Sequence, residues 1–128
     1  MRGLLDDLAG VDPVGNPSLT DNRMLRHGVE RILTQLVELA AAINEHVVGA
    51  RLQRVATSYR ESFELAEECG LLDKQLRDDL LPSIGMRNLL VHEYLEIDLA
   101  RVAAAVPLAL SCYRRYVQQV ASFVSRLD

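Results

Sequence analysis

Residues 24–43 read MLRHGVERILTQLVELAAAI, and this stretch decides the class of fold. Its apolar side chains recur every three or four residues, which is the period of a helix with one buried face. The members of this apolar stripe are Met24, Leu25, Val29, Ile32, Leu33, Leu36, Leu39, Ala40 and Ile43. Ser18 with Asp21 resembles a capping box, although Thr20 or Asp21 could cap equally well, and we expect the helix to end near Gly49.

Two further helices are predicted in the middle of the chain. Ser58 and Glu61 have the spacing of a capping box, with the hydroxyl at the cap and the carboxylate three residues later. Gly70 suits the C′ position, at which a helix often ends with a left-handed residue. A third helix is predicted from about Asp73 to Ile84, with leucines on its core face.

Proline and glycine divide the remainder of the chain. Pro82 should make the last turn of the third helix irregular, and Gly85 is expected to separate it from a short fourth helix over residues 86–94. A fifth helix is predicted over residues 98–127, kinked or split at Pro107. No segment alternates apolar and polar residues as a half-buried strand does. The sequence therefore predicts an all-α fold, an up-and-down bundle of four to five helices.

The chain of 128 residues is long enough for one domain with a real core. Residues 1–17 hold three glycines and two prolines, and we predict a flexible or partly helical N-terminal arm there. Residues 18–128 then form the helical bundle domain.

Charge and composition exclude some functions. A net charge of −4 argues against an extended, non-specific nucleic-acid binder, although it allows a small local site. No apolar run is long enough to span a membrane, and the acidic N-terminus lacks the apolar core of a signal peptide. We therefore expect no membrane association and a cytoplasmic location. Cys69 and Cys112 fit no metal spacing and are expected to be free thiols.

The segment RNLLVHEY, residues 87–94, combines a fixed cation, an imidazole and a phenol. Cleaving RNA without a metal requires a proton shuttle and a cation for the phosphate. His92 can act as general acid or base because imidazole titrates near neutral pH. Arg87 can stabilise charge on the phosphoryl oxygens, and Asn88 can orient His92 or donate to phosphate. No carboxylates and histidines are spaced as metal ligands, so we expect no metal and no cofactor. An ordinary surface pair of Arg87 and His92 is the competing interpretation.

Helix geometry separates these residues. Asn88 and His92 are one turn apart on one face, whereas Arg87 and His92 point about 140° apart on an ideal helix. One helix alone makes a poor pocket, so the spacing favours a site that a second helix or a second subunit completes.

The motif and its flanking blocks resemble the HepT-like proteins, which are HEPN-domain ribonuclease toxins. The motif block is residues 84–94, followed by Glu96-Ile97-Asp98. The flanking blocks are Val29-Glu30-Arg31, Ile43-Asn44-Glu45-His46, and Ser58-Tyr59-Arg60-Glu61-Ser62-Phe63 with Glu67, Cys69-Gly70 and Leu71-Leu72. Together they cover roughly residues 21–127. The sequence departs from the family pattern at its N-terminus, where a longer helix is usual.

The resemblance implies a HEPN-like, all-helical homodimer that cleaves tRNA or mRNA, with Arg87 and His92 as the catalytic pair. It also implies a nucleotidyltransferase antitoxin of the MntA type, which adenylylates the motif tyrosine, here Tyr94. A bulky anionic phosphodiester on Tyr94 would occupy Arg87 and repel RNA phosphate. The alternative is a non-catalytic partner or substrate-binding subunit of a minimal nucleotidyltransferase, in which the same motif binds RNA or nucleotide without cutting.

Overall fold

The computed structural model describes residues 1–11, 19, 21–92 and 98–127, and these residues contain five α-helices and no strand. The helices are α1 (Arg2–Ala9), α2 (Arg23–Leu52), α3 (Tyr59–Glu68), α4 (Lys74–His92) and α5 (Leu99–Ser125). Helix α2 packs against the other four, and α4 also packs against α3 and α5. The prediction of an all-α helical bundle is confirmed.

Helix α2 begins and ends later than predicted. Its N-cap is Asn22, whose side chain accepts a hydrogen bond from the Leu25 amide at 3.0 Å. The prediction of a cap at Asp21 was therefore wrong, because the neighbouring asparagine is an equally good cap; Ser18 and Thr20 lie outside the described residues. The helix continues through Gly49 to Leu52. The residue after it, Gln53, is the C-cap and has a left-handed backbone conformation, with φ of 55°.

Both predicted ends of α3 are confirmed. The Ser58 hydroxyl accepts from the Glu61 amide at 3.0 Å, and the Glu61 carboxylate accepts from the Thr57 amide at 3.1 Å. Gly70 takes the left-handed conformation at φ of 87°. Its amide and the next one bond back to the last turn of α3, which closes the helix as the Schellman motif does.

Helix α4 is continuous where the sequence predicted two helices. Leu76, Leu80 and Ile84 are buried at intervals of four residues, so one apolar face runs unbroken past Pro82. Burial of that face offsets the hydrogen bond that the proline lacks. Gly85 is helical and shows no left-handed backbone, so it does not separate two helices.

Helix α5 is likewise not split at Pro107. Several side-chain hydrogen bonds tie it to α4 and fix the relative position of the two helices. At the start of α4, the Gln119 amide donates to the Asp73 carboxylate at 2.7 Å. Further along, the hydroxyls of Ser83 and Tyr113 lie 2.8 Å apart.

The N-terminal residues contribute to the same core as the rest of the bundle. Leu5 and Leu8 of α1 are buried, and α1 packs against α5 and α2. The partly helical arm of the prediction is thus a packed helix over residues 2–9, because its two leucines need an apolar partner; residues 12–18 lie outside the described part. None of the described helices combines the length and the apolar character that a membrane crossing requires.

Candidate functional site on helix α4

The guanidinium of Arg87 lies against α2 and α3. Its central carbon is 4.8 Å from the centroid of the Tyr59 ring, which is a cation–π contact. One terminal nitrogen is 3.9 Å from a carboxylate oxygen of Glu38. The Arg87 side chain is only 17% exposed, whereas that of Glu38 is 46% exposed. Arg87 is therefore a sheltered cation with one solvated counter-charge.

The hydrogen-bond donors of Arg87 are incompletely used. Nη1 donates to the Asn88 side-chain oxygen at 3.3 Å, a long bond. Nε is buried and has no acceptor among the residues that the structure describes. A buried donor without a partner is costly, and a phosphate oxygen that reached Nε after a movement of the surrounding side chains would gain a hydrogen bond here.

His92 and Asn88 lie on the side of α4 that faces α5. Both line an open groove of about 1160 Å³ between α4 and α5. Apolar residues form most of its surface, and Leu108 on α5 is 63% exposed there. Charges of both signs complete the lining: Asp78, Asp79, Arg101 and Arg115. Asp79 pairs with Arg115 at 2.8 Å, and that hydrogen bond lowers the pKa of the Asp79 carboxyl.

A second, smaller pocket of about 480 Å³ lies on the other side of Asn88. Tyr59 and Arg60 of α3 line it together with Glu45 of α2. Asn88 contributes to both spaces, so it marks the boundary between the His92 groove and the pocket beside Tyr59.

The structure thus brings Asn88 together with His92, but it does not bring Arg87 into their groove. The separation follows from their positions on one unbroken helix and agrees with the angle expected from the sequence. Tyr94, the predicted modification site, lies outside the described residues. Within the described ranges, no group of three or more histidine, cysteine or acidic side chains could hold a metal ion.

Sequence reasoning missed two neighbours of Arg87. Tyr59 comes directly after the Ser58 cap, which fixes it at the first turn of α3, but no sequence signal placed its ring against Arg87. Glu38 carried no sequence signal, because its position opposite Arg87 depends on how α2 packs against α4.

Comparisons with known proteins define the class of this helical protein. A family model described as ribonuclease HepT-like matches residues 5–120. The tRNA nuclease HepT of Aphanizomenon flos-aquae is 33% identical over 99 residues, which are 77% of this chain and 67% of that relative. The mRNA nuclease HepT of Shewanella oneidensis is 27% identical over 88 residues, or 69% of this chain and 66% of that relative.

The fold agrees with these matches. A solved structure of a tri-AMPylated HEPN toxin of Shewanella oneidensis, in complex with an MNT antitoxin, superposes with a TM-score of 0.84. It shares 23% sequence identity, and the match covers 94% of this chain and 90% of that one. The chain belongs to the HepT-like ribonuclease family, as its motif and flanking blocks predicted.

Proposed function

We propose that this protein is a metal-independent ribonuclease and the toxin of a toxin–antitoxin pair. The observation that carries the proposal is Arg87, a sheltered cation with an unsatisfied Nε, five positions before the exposed His92 on the same helix. Membership of a ribonuclease family supports it. The relatives act on tRNA in one case and on mRNA in another, so RNA is the substrate class.

The chemistry needs only groups that the chain and the RNA supply. His92 takes the proton of a 2′-hydroxyl, whose oxygen attacks the adjacent phosphorus. Arg87 donates hydrogen bonds to the non-bridging oxygens as negative charge develops on them. The bond to the 5′-oxygen breaks, and the protonated His92 gives the proton to that departing oxygen, which leaves the imidazole neutral again. The products are a 2′,3′-cyclic phosphate and a 5′-hydroxyl.

A second copy of the chain would complete the site. Arg87 and His92 of one subunit lie on different sides of α4, and the groove beside His92 is apolar with an exposed Leu108. Its charges of both signs suit a self-complementary contact between identical faces. We therefore assign this groove to a homodimer interface across which the two α4 helices approach each other.

Control by an antitoxin fits the same site. The solved relative is an AMPylated toxin bound to an MNT antitoxin, and Tyr94 follows His92 by two residues here. Adenylylation of Tyr94 by a nucleotidyltransferase in the cytoplasm would add an anion two residues after His92 in the sequence and repel RNA. Peptide mapping after co-expression tests this: a gain of AMP on Tyr94 is expected, and an unmodified Tyr94 would leave inhibition to binding alone.

The test of the activity is cleavage of tRNA and of mRNA by the purified protein in the presence of a chelator. Arg87→Ala and His92→Ala should each lose at least about 10²-fold in rate, in line with removal of a charge-stabilising group or a proton shuttle. Their melting temperatures should remain close to that of the wild type. RNA binding without cleavage by the wild type would instead favour the non-catalytic partner subunit.

A further inference from the structure

The aromatic ring of Tyr59 packs against the guanidinium of Arg87 in a cation–π contact. The ring lies 4.8 Å from the guanidinium carbon and is itself half-buried against the core. We propose that Tyr59 is a positioning residue for Arg87, which holds the cation where the substrate phosphate binds; the catalytic consequence rests on the ribonuclease function proposed above.

The other contacts of Arg87 are too weak to fix its position. The Glu38 carboxylate is 3.9 Å away and 46% exposed, and long solvated ion pairs contribute little. The bond to the Asn88 side chain is 3.3 Å long and lies at the surface. The Tyr59 ring is the one contact of the three that is shielded by the core, so it dominates the placement of the guanidinium.

The ring can act as a support because the backbone that carries it is anchored. The Ser62 hydroxyl donates to the Tyr59 carbonyl at 2.7 Å. The Asn44 amide donates to that hydroxyl at 3.5 Å, and the Tyr116 hydroxyl donates to the Asn44 oxygen at 2.7 Å. Asn44, Ser62 and Tyr116 are all buried. The short bond from Ser62 fixes the Tyr59 carbonyl within α3, and a buried polar network, through the longer Asn44–Ser62 contact, links this first turn to α2 and α5.

The size of the effect follows from the geometry of catalysis. A displacement of about 1 Å in a group that stabilises the transition state can cost up to about 10²-fold in rate. Tyr59→Leu removes the aromatic face and leaves a smaller apolar side chain. We expect kcat to fall at least about 10-fold, whereas Tyr59→Phe keeps the aromatic face and should retain most of the rate.

The chain offers a matched control for this substitution. Arg51 lies over the Phe123 ring at 5.2 Å, which is the same type of contact away from the motif. Phe123 is only 6% exposed, so Phe123→Leu disturbs the core at least as much as Tyr59→Leu does. A kcat for Phe123→Leu near that of the wild type, at matched temperature below both melting points, assigns the loss in Tyr59→Leu to Arg87 rather than to lower stability.

A chemical readout follows the position of Arg87 without relying on cleavage. Phenylglyoxal modifies accessible arginines, and peptide mapping can follow the rate at Arg87. We expect slow modification in the wild type and in Tyr59→Phe, and modification several-fold faster in Tyr59→Leu. Equal rates in the wild type and Tyr59→Leu would overturn the proposal.

Faster modification with unchanged kcat would overturn the positioning role as well. A wild type that cleaves no RNA would refute the proposed function, and the modification rates would still decide whether Tyr59 holds Arg87.

Discussion

Within the described residues, Glu38 is the acidic side chain paired with Arg87, and its removal should strengthen RNA binding. Its carboxylate lies 3.9 Å from a terminal guanidinium nitrogen. We take a separation of about 4 Å from Glu38 for a phosphate that binds on the same side of Arg87. Two unit charges about 4 Å apart repel by about 1 kcal/mol in water. Because Glu38 is 46% exposed, the value for water is the appropriate one. Glu38→Gln should therefore tighten RNA binding about 5-fold at low salt.

The assay is fluorescence anisotropy of a labelled RNA that binds to the His92→Ala variant, in which the RNA is expected to remain uncut. The gain from Glu38→Gln should shrink as salt is added, because screening weakens the repulsion that it removes. The gain should also vanish when Arg87→Ala is present, since the phosphate then has no cation beside Glu38.

The same helix supplies a matched control. Glu30 forms an ion pair with Arg26 at the same separation of 3.9 Å. It precedes Glu38 by eight residues, which is about 12 Å along α2 and longer than the screening length of about 8 Å at physiological salt. Glu30→Gln changes the net charge equally and should leave RNA affinity unchanged. Equal gains from both variants, or no gain from Glu38→Gln, would refute the local repulsion.

Other perturbations test the assembly and the core. If each site combines Arg87 of one subunit with His92 of the other, co-expressed Arg87→Ala and His92→Ala subunits should regain RNA cleavage as mixed dimers. Cleavage no better than that of either single variant would show that both residues of a site come from the same subunit. Tyr116→Phe leaves a buried amide oxygen without its donor at 2.7 Å and should lower the free energy of unfolding, measured in urea, by about 1–3 kcal/mol. The Arg115 hydrogen bond lowers the pKa of Asp79, so its stabilisation is present above the ordinary pKa of 3.8 and is lost as pH falls through the folded value. Asp79→Asn should therefore flatten the acid limb of stability against pH, and an unchanged slope would contradict this.

Local sequence rules predicted the structure well where one short-range interaction decides it. The Ser58 cap and the Gly70 turn depend only on residues within a few positions, and both ends of α3 formed as expected. The break predicted at Pro82 and Gly85 was wrong, because that rule ignores tertiary burial. Leu80 before the proline and Ile84 after it are both buried on one face of α4. Burial of that continuous apolar face keeps the helix unbroken.

For the candidate site, too, local sequence rules predicted one part and tertiary packing determined the other. Helical periodicity was enough to predict that Arg87 and His92 would face different directions. The partners of Arg87 could not be predicted, because Glu38 and Tyr59 are 49 and 28 residues away in the sequence and meet it only through packing of α2 and α3 against α4. The sequence therefore identifies the chemical groups, and the packing determines their surroundings.

The buried polar network explains why the core of this bundle is not wholly apolar. Asn44 is fully buried, and such a group is costly unless its donors and acceptors are used. Here its oxygen is bonded to Tyr116 and its amide to Ser62, which in turn holds the carbonyl of Tyr59. Apolar contacts could also pack α3 against α2, but they carry no directional constraint of the kind that hydrogen bonds add. On the proposed role of Arg87 as the phosphate-binding cation, the network couples the interior of the bundle to the placement of Arg87.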